Sequence, residues 1–64
     1  MTRRIVTKLQ IVDAINIRRE CVLYNINFTR TEIDLAEQRY IWYFDCEESA
    51  VHFTLRYSEY IVDQ

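Results

Sequence analysis

Hydrophobic and polar positions alternate most regularly near the end of the chain. Apolar residues at positions 51, 53, 55 and 57 alternate with polar residues at 52, 54, 56 and 58, which predicts a strand with one buried face. Residues 40–44, YIWYF, are all types that favour sheets, so they predict a second strand. The polar residues 45–49 between them then predict a hairpin loop, in which Asp45 or Ser49 takes the positive φ that glycine usually provides.

The first apolar segment, residues 4–12, fits two structures. As a strand it puts Ile5, Thr7, Leu9 and Ile11 on one face, and its β-branched residues favour this reading. As a helix it aligns positions 5, 9, 12 and 15, and the absence of glycine favours this reading. We predict a strand and keep the N-terminal helix as the alternative.

Residues 13–16 then form a turn, and residues 22–28 predict another strand because Asn25 and Asn27 alternate with apolar positions there. Residues 29–39 predict a short helix. Thr29 and Glu32 fit a capping box, and acidic residues precede a basic one along the segment, as the helix dipole favours.

These elements predict an α+β fold: a small antiparallel sheet with one short helix in the order ββαββ, or αβαββ with the N-terminal helix. Residues 1–64 form a single small domain. A chain this short buries only about 60% of its unfolded surface, so self-association is a natural source of further burial. Both faces of residues 40–44 are apolar, which fits a sheet face buried against a second subunit and predicts a homodimer.

The chain contains no glycine and no proline, which excludes the P-loop and the Rossmann fingerprint because both need glycine next to phosphate. No segment approaches the roughly 20 apolar residues of a membrane span, and no secretory signal is recognisable. The sequence therefore predicts a soluble, cytoplasmic protein that does not interact with membranes.

Catalytic and metal-binding signals are weak. Cys46 and the single histidine, His52, would lie across the predicted hairpin, but a lone cysteine and a lone histidine are more often structural than catalytic. No CxxC or HxxxH spacing indicates zinc. A disulfide between Cys21 and Cys46 is compatible with the sequence and disfavoured only by the reducing compartment. We predict no enzyme activity, no metal and no cofactor.

The residue types at the start of the predicted hairpin favour protein binding. Trp42 and Tyr43 are types enriched at interface hot spots, and Asp45, Glu47 and Glu48 add an acidic surface that suits a basic partner. The sequence therefore predicts a stoichiometric regulator or inhibitor. Small acidic proteins without catalytic motifs are common among the regulators that phages and mobile elements encode.

The alternative function is a small nucleic-acid-binding regulator. Residues 1–30 carry six basic and two acidic residues, for a net charge of +4, whereas residues 31–64 carry two and eight, for −6. The basic half offers five candidate phosphate-binding residues: Arg3, Arg4, Lys8, Arg18 and Arg19. The sequence pI near 5.2 counts against this alternative.

Overall fold

In the computed structural model, which describes residues 2–8 and 10–63 apart from the side chain of Asp63, two helices cover one face of a four-stranded antiparallel sheet. The strands are β1 (Arg3–Lys8), β2 (Arg30–Asp34), β3 (Arg39–Phe44) and β4 (Ile61–Asp63), and they lie side by side in the order β2-β3-β1-β4. Helix α1 (Ile11–Leu23) follows β1, and helix α2 (Glu47–Arg56) follows β3. A short 3-10 helix, Ser58–Tyr60, leads into β4.

The predicted α+β class is confirmed, with its small antiparallel sheet. Along the chain the elements run strand, helix, strand, strand, helix, strand, which matches the ferredoxin-like arrangement of two interlocked β-α-β units. What differs from the prediction is the residues that most elements occupy, together with the presence of a second helix. The predicted strand over residues 4–12 is confirmed for residues 4–8. Leu9 lies outside the described residues, and the prediction is wrong for Ile11 and Val12, which begin α1.

Five element predictions are wrong. Residues 22–28, predicted as a strand, form the end of α1 and the loop after it. Residues 29–39, predicted as a helix, form β2 and the turn of the β2–β3 hairpin. Residues 51–57, predicted as a strand, form the second half of α2 and its C-cap, and the predicted hairpin loop 45–49 leads into that helix and forms its first turn. The predicted turn at residues 13–16 lies inside α1.

Helix α1 is built on a buried stripe and ends in a Schellman motif. Ala14, Ile17 and Cys21 are its buried residues, and their spacing of three and four keeps them on one face. Asn25 adopts φ of 58°, while the backbone N–H of Ile26 donates to the carbonyl of Cys21 at 2.8 Å. Asparagine is the usual substitute for glycine at this left-handed position, so a chain without glycine still ends the helix in the common way.

Helix α2 carries charges that suit its dipole. Glu47 and Glu48 lie in its first turn and Arg56 in its last. Ala50, Phe53 and Tyr57 face the core at helical spacing, whereas Val51 and Leu55 point outward. The apolar residues Phe53 and Tyr57, whose alternation with polar residues predicted a strand, thus also lie on one face of a helix.

Trp42, in the central strand β3, is the centre of the core. Its side chain is fully buried and contacts the rings of Phe28 and Phe53, each with centroids 5.1 Å away. The indole N–H donates to the hydroxyl of Thr7 at 3.0 Å, and that hydroxyl donates to the carbonyl of Tyr40 at 3.3 Å. A buried polar pair is thus satisfied within an otherwise apolar core.

A second group of contacts joins the ends of the two helices. The hydroxyl of Tyr57 donates to a carboxylate oxygen of Glu20 at 3.0 Å, and the guanidinium of Arg56 lies 3.7 Å from the ring centroid of Tyr24. Burial, followed by the hydrogen bond with Glu20, raises the pKa of Tyr57 to about 12. These contacts fix α1 against α2.

The face of the sheet that the helices leave uncovered is called here the open face. Strand register puts three rows of side chains on it, running from β1 through β3 to β2. The rows are Arg4, Tyr43 and Arg30; then Val6, Ile41 and Glu32; then Lys8, Arg39 and Asp34. The open face is therefore rich in cations around a narrow apolar centre.

Candidate protein-binding surface

Trp42, predicted as an interface residue, does not reach the surface. Its side chain has no exposed area and contacts the rings of Phe28, Tyr40 and Phe53. It therefore stabilises the fold and has no atom available to contact a partner. The sequence signal was ambiguous because tryptophan is enriched both at hot spots and in the cores of small domains.

Tyr43 lies on the open face, on the opposite side of β3 from Trp42. The guanidinium of Arg30 stacks 3.9 Å from its ring centroid, and its hydroxyl donates to Glu32 at 3.2 Å. Glu32 also forms an ion pair with Arg30. The hydrogen bond that Arg30 donates in this pair lowers the pKa of the Glu32 carboxyl. Tyr43 is thus part of a polar cluster, separated by the sheet from the helices.

The three acidic candidates lie together where β3 passes into α2. Asp45 accepts a hydrogen bond from the hydroxyl of Thr2 at 3.2 Å, and Glu47 forms an ion pair with Arg3. All three carboxylates, including Glu48, are exposed. The structure therefore groups Asp45, Glu47 and Glu48 at one helix end and separates them from Trp42 and Tyr43.

The outer face of α2 continues this acidic group with apolar side chains that the sequence analysis placed in a core. Val51 is 42% exposed and Leu55 is 76% exposed, one helical turn apart. A shallow groove of about 370 Å³ is lined by Glu47, Glu48, Val51, His52 and Leu55. We call this groove the α2 surface. Reading residues 47–56 as a helix, with acids first and arginine last, would have found it.

Cys46 and His52 do not form the pair that the predicted hairpin would have allowed. Cys46 is the N-cap of α2, and six residues along a helix place His52 on a different face. The backbone N–H of Ser49, followed by its hydroxyl, lowers the pKa of the exposed Cys46 thiol.

Cys21 differs from Cys46 in its burial and in the direction of its pKa shift. It is buried in the core, and that burial raises the pKa of its thiol to about 11. Both cysteines are free thiols, one inside the fold and one outside. No group of three or more potential metal ligands occurs within residues 2–8 and 10–63.

The five basic candidates are divided among three places. Arg4 and Lys8 lie on the open face, whereas Arg3 lies on the helix side of β1 and pairs with Glu47. Arg18 of α1 donates to the hydroxyl of Tyr40 at 3.0 Å and so fastens the helix to the sheet, while Arg19 is exposed on α1. The open face gains Arg30 and Arg39, which sequence reasoning had put in a helix.

In the part of the chain that the structure describes, no helix is long and apolar enough to cross a membrane. Comparison with known proteins adds no relative. No family model matches the chain, and neither the curated proteins nor the solved structures contain a significant match.

Proposed function

We propose that this protein is a non-catalytic protein-binding module that acts as a stoichiometric regulator or inhibitor through the α2 surface. The observation that supports this most directly is the pairing of Val51 and Leu55, both exposed, with Glu47 and Glu48 on the same helix. An apolar patch bordered by charges is the usual form of an interface that binds and releases a partner.

The apolar part of the α2 surface provides the affinity. Leu55 is 76% exposed in the folded protein. A partner that covers it would remove this apolar area from water, which contributes free energy to binding. Val51 lies one turn earlier on the same face, so a single side of a partner covers both residues.

The acidic part provides selectivity for charge. Asp45, Glu47 and Glu48 give three carboxylates at one helix end, and Arg3 is paired with one of them. The helix dipole also favours acids there, so part of their role is structural. The remaining negative charge favours a partner surface on which lysine or arginine borders apolar side chains.

Affinity capture with matched variants tests this proposal. The tagged wild-type protein is expected to retain a partner stoichiometrically from lysate treated with nuclease, and Leu55→Asp is expected to lose it. Leu23→Asp is the control, because Leu23 is 74% exposed but lies on α1. Glu47→Lys with Glu48→Lys should weaken retention most at low salt. Retention of the same proteins by Leu55→Asp would contradict the proposal.

The open face supports a second candidate function, the binding of single-stranded nucleic acid. Arg4, Lys8, Arg30 and Arg39 share it with Tyr43, against Glu32 and Asp34. A basic sheet face with an aromatic ring matches the way single strands are bound, by phosphate contacts and base stacking. The net charge of −2 is a counterargument, because the acidic residues outside the open face repel phosphate.

Fluorescence anisotropy with a labelled single strand separates this second candidate from the first. Binding through the open face should fall with Lys8→Glu and Arg39→Glu and should weaken steeply with salt. Arg19→Glu is the matched control on α1. Equal loss in all three variants would indicate only a general effect of net charge and would remove the open face from consideration.

A further inference from the structure

A separate apolar surface lies where α1 meets strand β2, at one edge of the molecule. Its four large side chains are each more than half exposed: Ile11, Ile15, Ile33 and Leu35. Two grooves, of about 350 and 600 Å³, run between the first turns of α1 and the β2–β3 hairpin, and Ile11 lines both. We call this the α1–β2 surface.

The α1–β2 surface is continuous with an edge of the sheet. Strand β2 is an outermost strand, so none of the described residues forms a strand along one side of its backbone. Such an edge is a template for pairing with another strand, and most proteins shorten or block it. The opposite edge, β4, is shortened to three residues, whereas β2 keeps five.

We propose that β2 pairs antiparallel with β2 of a second copy, about a two-fold axis at Glu32, so that two sheets join edge to edge. This register uses the whole strand: Arg30 lies opposite Asp34 of the second copy, and Thr31 lies opposite Ile33. The two α1–β2 surfaces then meet on the helix side of the joined sheet. The homodimer expected from the small size of the chain thereby acquires a defined interface.

Charges along β2 are arranged for this self-pairing. Arg30 faces Asp34 twice, once on each side of the axis, and opposite charges on facing residues stabilise strand pairs. The two Glu32 residues meet at the axis, which is unfavourable. Each Glu32 is compensated within its own chain, because it pairs with Arg30 and accepts a hydrogen bond from Tyr43.

Apolar groups on the other side of the joined sheet supply the burial. Ile33 is 57% exposed and Ile15 is 51% exposed, and both line the same groove beside the edge strand. A second copy covers them with its own Ile33 and Ile15. The open face does not offer a comparable self-contact, because on β1, β2 and β3 it carries four cations and two acids, which would repel the same face of another copy.

Sedimentation velocity over a range of concentrations tests the dimer. The wild-type protein is expected to show a reversible monomer–dimer equilibrium, and Ile33→Asp is expected to raise the dissociation constant at least about tenfold. Leu23→Asp is the control, since it makes the same type of change at an exposed residue that lines neither groove, and it should leave the equilibrium unchanged. Circular dichroism checks that both variants remain folded.

Charge variants test the register. Arg30→Asp and Asp34→Arg each place like charges opposite one another and should weaken the dimer, whereas the double variant should restore it. Glu32→Gln removes the repulsion at the axis and should strengthen it. A wild-type protein that stays monomeric, an Ile33→Asp variant that dimerises normally, or assemblies larger than a dimer would overturn the proposal, because pairing of one edge closes at two copies.

Discussion

Both sides of strand β3 carry large apolar side chains, but the two sides differ in what surrounds them. Tyr40, Trp42 and Phe44 are at most 7% exposed and pack beneath both helices. Ile41 and Tyr43 are half-buried on the open face, where Arg30 stacks on the Tyr43 ring. Charged side chains with long apolar stems can therefore shield an aromatic face that no second layer covers. Both sides of a strand can be apolar although only one contributes to the core.

Substitution of neighbouring aromatic residues should give the largest contrast between the two sides. Trp42→Ala empties the centre of the core and should lower the free energy of unfolding by about 3–5 kcal/mol. Tyr43→Ala on the open face should lower it by about 1 kcal/mol or less. Urea denaturation followed by circular dichroism measures both.

A core of this size rarely yields more than about 3–5 kcal/mol, so Trp42→Ala is expected to be largely unfolded. Trp42→Phe is the milder companion that keeps the comparison measurable. If Tyr43→Ala destabilised the protein as much as either Trp42 variant, the two sides of β3 would not differ in the way described.

Alkaline pH should destabilise the protein through two buried groups on the covered side, Cys21 and Tyr57. The pKa of Cys21 is raised to about 11 and that of Tyr57 to about 12, so the folded state holds both protons more tightly than the unfolded state does. The associated stability is complete below about pH 9 and is lost as the pH rises through 11 and then 12.

Denaturation curves at pH 8, 10 and 11 measure this loss, with Cys21→Ala and Tyr57→Phe as variants. Each substitution removes one titrating group and should flatten the pH dependence, while lowering stability at neutral pH. A double variant with unchanged pH dependence would show that other groups cause the loss.

The buried hydroxyl of Thr7 gives a smaller test. Thr7→Val keeps the shape of the side chain but leaves the indole N–H of Trp42 without its acceptor, which should cost about 1–3 kcal/mol. Thr54→Val is the control, because the Thr54 hydroxyl donates to the Ala50 carbonyl within α2, at a part-buried site. Equal losses in thermal or urea denaturation would argue against a special role for the buried pair.

Arg30 should give the smallest effect. Arg30→Ala removes the stacking on Tyr43 and the ion pair with Glu32, both exposed to water, so only a slight change in the denaturation midpoint is expected. Arg30→Lys keeps the charge and loses the planar stack, which separates the two contributions. A midpoint shift as large as that of Thr7→Val would show that the open face contributes substantially to stability.

The sequence predicted the two central strands well because their patterns allow one interpretation. In β1, Ile5 and Thr7 alternate with residues of the other face as predicted, and the aromatic run of β3 has no competing helical stripe. The α+β class follows from these strands and the short segments around them.

The helices were misplaced because their sequences satisfy two periods at once. Phe53 and Tyr57 share a strand face by alternation and share a helix face at a spacing of four, and only the sheet they pack against decides between the two. In residues 29–39, Thr29 and Glu32 resemble a capping box, which led to the prediction of a helix. The segment also alternates as a strand does, because Thr31 and Ile33 share the helix side of β2.

The same error hid part of the candidate site. A strand over residues 51–57 puts Leu55 in the core, so the α2 surface was not foreseen, although its acidic members Glu47 and Glu48 were. The placement of Trp42 at an interface failed for a different reason. Residue type alone cannot show which face of a central strand meets the helices.

The position of β1 between β3 and β4 has a consequence for how the nascent chain folds. β1 is made before either neighbour, and both of its pairings join residues far apart in the sequence. Until β3 has been synthesised, Ile5 and Val6 have no sheet to enter, and the hairpin of β2 and β3 is the earliest pairing that local contacts can form. Of the four strands, β1 is therefore the first to be synthesised but among the last to be secured, which leaves its apolar residues open to chaperones or to misassembly during synthesis.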